Sequence, residues 1–127
     1  MVDLAARDDD MAVFVAKGEL SADEIYRAYL GYITASPPRL VLLDLTAATL
    51  TQIATAEIQR LARGLATLGR GRRPPGKCAM LCGRTVDYGV ARMLQIYLSI
   101  ESYPASLAAF MDRKQADAWL AEAQAVR

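Results

Sequence analysis

The sequence contains no histidine among its 127 residues. This absence removes the commonest general base of enzymes, the commonest metal ligand and the side chain that most often titrates near neutral pH. The chain also lacks a P-loop motif, a dinucleotide-binding glycine motif, a nucleophile-elbow serine motif and a cluster of metal-ligating side chains. We therefore predict that the protein is not an enzyme and holds no metal or cofactor.

Long hydrophobic runs and an excess of charge are missing as well. No apolar segment approaches the roughly 20 residues that span a bilayer. The acidic start of the chain, Met1 to Asp10, lacks the basic and apolar regions of a signal peptide. Fifteen basic and fourteen acidic side chains leave a net charge of +1, which argues against nucleic acid as a partner. We expect a cytoplasmic protein.

Cysteine is scarce, since only Cys78 and Cys82 are present. In a strand, residues four apart lie about 13 Å from each other, too far for a disulfide, whereas in a helix they would lie one turn apart. We expect two reduced, buried thiols that act as small hydrophobic side chains. A remaining enzymatic hypothesis requires Cys82 to lie at a strand end in an electropositive pocket, where a thiolate is reactive.

Strand and helix patterns alternate along the chain, and hydrophobic residues, at 54%, suffice for a proper core. The strand patterns are Val2 to Ala6, Met11 to Ala16, Leu40 to Leu45, Cys78 to Cys82 and Leu107 to Phe110. Four helices are predicted: one that begins after Ser21, one from Ile53 to Leu68, one that begins after Thr85 and one from Lys114 to Ala125. This order predicts one α/β domain over residues 1–127, with a mixed, mostly parallel four- or five-stranded sheet and about four helices packed against it.

Local signals refine this prediction. Ser21 and Glu24 have the spacing of a capping box at the start of the first helix. The run L-V-L-L-D-L from Leu40 does not alternate, so we expect it to be covered on both faces. A threonine-rich loop is expected from Thr46 to Gln52. Thr85 is expected to cap the third helix, with Val86 facing inward.

Tyrosine outnumbers phenylalanine by six to two, and most tyrosines lie on or beside the first and third predicted helices. A tyrosine joins an apolar ring to a polar tip, which suits an amphipathic ligand, although packing at a core edge uses it equally well. Gly89 in the third helix indicates a close approach by another helix or by a ligand. We predict a pocket between the sheet and these helices, lined by Tyr26, Tyr29, Leu30, Tyr88, Met93 and Tyr97.

A basic loop, G-R-G-R-R-P-P-G, joins the second helix to the next strand. Its functional interpretation is a patch for an anion or a membrane headgroup, formed by Arg70, Arg72, Arg73 and Lys77. The alternative is a solvated connector that two prolines stiffen.

Threonines follow the strand that begins at Leu40, and one carboxylate lies near the end of that strand. A hydroxyl at a helix N-terminus is a natural phosphorylation site, and it is also the commonest N-cap. The candidates for phosphorylation are Thr51 and Thr55. Asp44 near the strand end is expected to accept hydrogen bonds from loop amides around Thr46.

Four segments resemble the bacterial SpoIIAA-like family, often described as STAS/SEC14-type domains. They are G-E-L-S-A-D-E-I, V-L-L-D-L-T, V-D-Y-G-V-A-R-M-L-Q-I-Y and F-M-D-R-K-Q-A-D-A-W-L. The D-Y-G-V-A-R-M stretch is the most specific. The resemblance implies a mixed sheet of four or five strands, a small non-catalytic protein, a lipid-like or hydrophobic ligand and membrane association.

Better-known STAS relatives are anti-anti-sigma factors, whose D-S-S-G-type loop carries a serine that a partner kinase phosphorylates. The corresponding stretch here is A-T-L-T-Q-I-A-T, which has no Asp-Ser pair. Our main hypothesis is thus a cytoplasmic ligand-binding domain with reversible membrane association. The alternative is a protein-interaction module of the anti-anti-sigma type that uses the surface from Thr46 to Thr55. An apolar edge strand also favours a homodimer.

Overall fold

The structure, a computed structural model, describes residues 1–34, 38–70, 76–103 and 105–125. Within these ranges five strands are present: β1 (Val2–Arg7), β2 (Met11–Glu19), β3 (Leu40–Thr49), β4 (Lys77–Cys82) and β5 (Ser106–Phe110). Four helices accompany them: α1 (Ala22–Thr34), α2 (Thr55–Gly69), α3 (Thr85–Ile100) and α4 (Arg113–Ala125).

The strands form a single sheet in the order β1-β2-β3-β4-β5. The β1–β2 hairpin is antiparallel, and the other three neighbouring pairs are parallel. Each parallel pair is joined by a helical crossover, because parallel strands cannot be linked by a tight turn. The predicted fold class, a mixed and mostly parallel α/β sheet with four helices, is confirmed.

The two faces of the sheet carry two separate apolar clusters. The larger cluster packs α1, α2 and α3 against one face, where Leu45 and Met80 lie among its buried residues. The smaller cluster includes Leu40 and Leu42 on the opposite face, covered by Ala116 and Leu120 of α4. Strand β3 is therefore covered on both faces, as its continuous apolar run predicted.

The start of α1 confirms the predicted capping box. Ser21 Oγ accepts the backbone N–H of Glu24 at 3.1 Å, and Glu24 Oε1 accepts the N–H of Ser21 at 3.2 Å. Two amides that the first helical turn leaves without carbonyl partners are thereby satisfied.

Strand β3 is longer than predicted, and the threonine-rich loop is correspondingly shorter. The segment Lys17 to Glu19 of β2 continues to pair with Ala47 to Thr49 after an irregularity in the register. The prediction of a loop from Thr46 to Gln52 was therefore wrong up to Thr49. Strand pairing prevailed over the local preference for a turn.

Two predictions about α3 were also wrong, and a third was wrong in part. Arg84 occupies the N-cap position, so Thr85 is the first helical residue and not the cap. Val86 is 55% exposed, because the buried face of α3 runs through Asp87, Ala91, Leu94 and Leu98. Apart from Gly89 itself, its chain neighbours and the nearby backbone of α3, none of the described residues has an atom within 4 Å of the place where a Cβ on Gly89 would stand. No other described helix therefore approaches Gly89 closely, and the approach of a ligand stays a prediction.

Candidate functional site

A cavity of about 90 Å³ lies between α1 and the sheet. We call it the outer cavity. All five strands and the helices α1, α2 and α3 contribute to its walls, and its lining residues are almost entirely apolar. They are Val2, Phe14, Ile25, Ala28, Tyr29, Tyr32, Val41, Leu43, Leu65, Cys78, Met80, Leu94 and Leu107.

The residue pattern of α1 explains why this space stays open. Ile25, Ala28, Tyr29 and Tyr32 have the i, i+3, i+4, i+7 spacing of one helical face, and all four line the cavity. Ala28 is the smallest side chain of the four and lies between Ile25 and Tyr29 along the helix. Its methyl group leaves room that a larger residue would occupy.

Hydrogen bonds and a ring contact hold Tyr29 and Tyr32, the two tyrosines that line the outer cavity; together with Tyr103 we call them the tyrosine rim. The Tyr103 hydroxyl donates to the Tyr29 hydroxyl at 2.6 Å. The Tyr32 hydroxyl donates to the carbonyl oxygen of Pro38 at 2.7 Å, and its ring meets the Phe14 ring edge-on with centroids 5.4 Å apart. Aromatic rings held in this way hold their positions while their hydroxyl groups keep polar partners.

The outer cavity is electrically neutral at physiological pH. Burial raises the pKa of Tyr29 and of Tyr32, and it raises the pKa of the Cys78 thiol to about 12. None of the described residues that line it is an Asp, Glu, Lys or Arg. An ionised group placed inside would lose its hydration without compensation, so the site suits an uncharged ligand or an uncharged part of one.

A smaller space of about 30 Å³, the inner cavity, lies beneath α2 and α3. Ile25, Leu43, Met80 and Leu94 line both cavities and so separate them. The inner cavity also reaches Leu50 and Ile53, in the segment that connects β3 to α2.

The structure brings only part of the predicted ligand set to the outer cavity. Tyr29 lines it, and the other five predicted residues do not. Tyr26 lies against α2, where a Cβ on Gly64 would be 3.1 Å from its ring. Leu30 is 37% exposed on the outer side of α1. Helix geometry explains this, because Tyr26 and Leu30 are rotated by about 100° from the lining residues Ile25 and Tyr29 that precede them, away from the cavity face.

The α3 members of the predicted set lie farther away. The Tyr97 hydroxyl accepts a hydrogen bond from Gln59 Nε2 of α2 at 3.1 Å. Tyr88 and Met93 are partly buried against the larger cluster. Leu94 is the α3 residue that reaches both cavities. The sequence signal that could have identified the missed residues is the face of α1 that runs through Ala28 and Tyr32.

The predicted basic patch is not assembled by its described members. Lys77 Nζ lies 4.4 Å from the centroid of the Trp119 ring and donates to the Trp119 carbonyl at 3.1 Å, on the α4 side of the sheet. Arg70 follows α2 on the other side and donates to the carbonyl of Glu101 at 3.4 Å. Arg72 and Arg73 lie outside the described residues.

Both predicted phosphorylation sites are on the surface. Thr51 lies in the turn after β3, and Thr55 is the first residue of α2; the two are exposed. The N-cap residue is Ala54, which has no side-chain acceptor, and Glu57 accepts its N–H at 3.1 Å. No threonine therefore caps α2. Asp44 accepts the N–H and the hydroxyl of Thr46 at 3.0 and 2.6 Å, as predicted.

A buried carboxylate was missed by the sequence analysis. Asp87 is fully buried, and its carboxylate accepts hydrogen bonds from Arg84 at 2.6 and 3.1 Å and from the Leu50 backbone N–H at 2.7 Å. The Arg84 guanidinium and then the Leu50 amide hold the pKa of Asp87 below its ordinary value, although burial opposes them. Its position in the first turn of α3 also suits a negative charge.

The environment of Cys82 argues against thiolate chemistry. Burial and the neighbouring Asp87 carboxylate raise the pKa of Cys82 to about 11. The described part of the chain holds no group of three or more side chains that could bind a metal ion. Within the same residues, no helix is long and apolar enough to cross a membrane.

Neither a protein-family model nor a curated protein matches the chain. Two solved structures are similar to the chain. An uncharacterised protein from the DUF3478 family with a SpoIIAA-like fold, from Shewanella loihica PV-4, is 19% identical with a TM-score of 0.50, covering 94% of this chain and 92% of that chain. An anti-sigma factor antagonist from Mycobacterium paratuberculosis is 16% identical with a TM-score of 0.52, covering 95% of each chain. The chain thus has a SpoIIAA-like fold, as the resemblance in its sequence predicted.

Proposed function

We propose that the protein is a non-catalytic domain that binds a small, uncharged hydrophobic or lipid-like molecule in the outer cavity. The observation that carries this proposal is the outer cavity itself, which is apolar and has no charged side chain among its lining residues. Protein interiors contain few voids larger than a water molecule. An engineered apolar cavity of about 150 Å³ takes up benzene, so 90 Å³ offers room for a short hydrocarbon segment.

Tyr29 lines the outer cavity and Tyr103 does not, so the Tyr29 hydroxyl is the polar contact that we propose for such a ligand. Two hydroxyl groups carry two protons, and their mutual hydrogen bond uses one of them. The remaining proton can be donated to a hydroxyl or carbonyl oxygen of the ligand. A ligand with an apolar body and one neutral acceptor therefore fits this proposal.

Filling the cavity provides a direct test. In Ala28→Phe the new ring occupies the outer cavity without adding a polar group. Leu30→Phe is the matched control, because it adds a ring to the outer side of the same helix. We expect native mass spectrometry and solvent extraction to recover a bound amphiphile from the unaltered protein and from Leu30→Phe, and not from Ala28→Phe. Equal recovery from folded Ala28→Phe would rule out the outer cavity as the site.

A protein-interaction module of the anti-anti-sigma type is the second candidate function. The observation that favours it is the structural likeness to an anti-sigma factor antagonist. Its surface would include Thr51 and Thr55, which are exposed. Incubation with cognate kinases should then add phosphate to one of these threonines, and Thr51→Ala with Thr55→Ala should abolish the mass gain. No mass gain with any cognate kinase would count against phosphorylation of this surface.

Cytoplasmic location, reversible membrane contact and homodimer formation belong to the same proposal. Sedimentation with phospholipid vesicles measures the membrane contact, and light scattering of the eluting protein measures its mass in solution. A protein that stays in the supernatant at every vesicle concentration would remove the membrane contact from the proposal. A mass in solution equal to that of one chain, at high protein concentration, would remove the homodimer from the proposal.

A further inference from the structure

The two cavities are separated by four side chains that differ in stiffness. Ile25, Leu43 and Leu94 are branched, whereas Met80 is unbranched, has three rotatable side-chain bonds and a polarisable thioether. Met80 is 2% exposed and lies on the central strand pair β3–β4, directly beside Leu43. We call these four side chains the divider. Met80 is the one that can change its rotamer and open the divider without displacing a helix or a strand.

We infer that the outer and inner cavities form one path for an unbranched alkyl chain, with Met80 as the movable divider. The inference rests on the proposed function and names its ligand class. Neither cavity alone has room for a long chain, since they measure about 90 and 30 Å³. Together they lead from the tyrosine rim to the space beneath α2 and α3. A bulky ring system or a branched chain would be held at the divider.

The inner end of this path meets the segment after β3. Leu50 and Ile53 line the inner cavity, and the Leu50 amide is also the group that Asp87 holds. A chain that passes Met80 therefore contacts this segment, while a chain that fills only the outer cavity does not. Chain length thus decides whether the ligand reaches the segment that carries the exposed Thr51.

The experiment uses a series of n-alkanols from n-butanol to n-octanol with the full chain. Binding is measured by calorimetry and by backbone amide shifts in NMR spectra. We expect the affinity to rise roughly fourfold for each added methylene, the ratio expected from the burial of one methylene, up to n-octanol. The amides of Leu50 and Ile53 should shift with the longer alkanols and stay in place with n-butanol.

Two variants obstruct the path and leave the outer cavity open. Ala91 lines the inner cavity alone, so Ala91→Val should lower the affinity for n-octanol at least roughly tenfold and leave n-butanol binding unchanged. Val90 also lines the inner cavity alone, so Val90→Leu should have the same effect, and it serves if Ala91→Val does not fold. Ser99→Val, at an exposed position of α3, is the matched control and should behave like the unaltered protein.

The results separate the inference from the proposed function. If short alkanols bind at the outer cavity but the affinity stops rising with length, and Leu50 and Ile53 never shift, the path does not exist and the ligand site remains. If no alkanol of any length binds, the proposed function fails and the inference fails with it.

Discussion

Asp87 and Leu50 are 37 positions apart in the chain, and Asp87 Oδ1 accepts the Leu50 backbone N–H at 2.7 Å. This bond joins the first turn of α3 to the end of β3. Arg84 forms an ion pair with the same carboxylate. These contacts hold the end of β3 and the segment after it against the start of α3.

Removal of this carboxylate should destabilise the fold. In Asp87→Ala the buried Leu50 N–H loses its partner, which costs about 1–3 kcal/mol in the free energy of unfolding. The control is Asp117→Ala, which removes the exposed Arg113–Asp117 ion pair on α4 and should cost under about 1 kcal/mol. Urea unfolding of both variants measures the difference, and an equal loss from the two would mean that the Leu50–Asp87 bond contributes nothing special.

Acid should reduce the contribution of Asp87. The folded-state pKa of Asp87 is lowered, so its ionised form stabilises the fold above the unfolded value of about 3.9, and this stabilisation is lost as the pH falls through the folded value. Asp87→Asn lacks the titration. The stability gap between the unaltered protein and Asp87→Asn should be widest near neutral pH and narrow below about pH 4. A gap that stays constant down to acidic pH would contradict the assignment.

Two glycines should respond in opposite directions to alanine. A Cβ on Gly83 would stand 2.7 Å from the carbonyl oxygen of Thr46, so the backbone between β4 and β3 must move in Gly83→Ala. A loss of about 1–3 kcal/mol is expected. Gly89 has open space around its Cβ position, and Gly89→Ala should stabilise α3 by up to about 1 kcal/mol. Thermal melts measured by circular dichroism test the pair, and a stabilised Gly83→Ala would refute the close approach.

The stability of the fold should decrease at alkaline pH, when the buried tyrosines of the rim ionise. Burial raises the pKa values of Tyr29, Tyr32 and Tyr103 above the ordinary value of 10.0. Their contribution to stability is full below that value and is lost as the pH rises toward the folded-state values. Ultraviolet titration of the folded protein should therefore show these tyrosines still protonated at pH 10, and Tyr103→Phe should cost about 1 kcal/mol. Ionisation of all six tyrosines near pH 10 in folded protein would contradict this.

Both thiols should be slow to react. The pKa values of Cys78 and Cys82 are raised to about 12 and 11, so at neutral pH each thiol is protonated. Iodoacetamide should label the native protein far more slowly than the urea-unfolded protein. Cys82→Ser identifies which site accounts for any labelling. Rapid native labelling at Cys82 would revive the thiolate hypothesis.

The fold was predictable because its signals are local. The apolar run at Leu40, the Ser21–Glu24 spacing and the alternation of patterns each depend on neighbouring residues, and all were confirmed. The errors arose where contacts between residues far apart in the sequence determine the local structure. The pairing of Glu19 with Thr49 extended β3, and the Asp87–Leu50 bond buried a charged residue that periodicity alone assigns to the surface.

The site was predictable only in outline. A pocket between the first helix and the sheet was expected, and Tyr29 lines the outer cavity. Rotation of α1 about its axis determines which other residues join it, and a tyrosine-rich helix offers two faces that the sequence does not distinguish. Ala28 shows the difficulty, because its importance lies in the space that it leaves.

The most direct test of the outer cavity as a ligand site is the mapping of amide shifts when n-hexanol is added. We expect saturable shifts that cluster on α1 around Ala28 and on the facing strands, that persist in Leu30→Phe and that vanish in folded Ala28→Phe. Shifts that are scattered over the surface, or that are unchanged in Ala28→Phe, would contradict it.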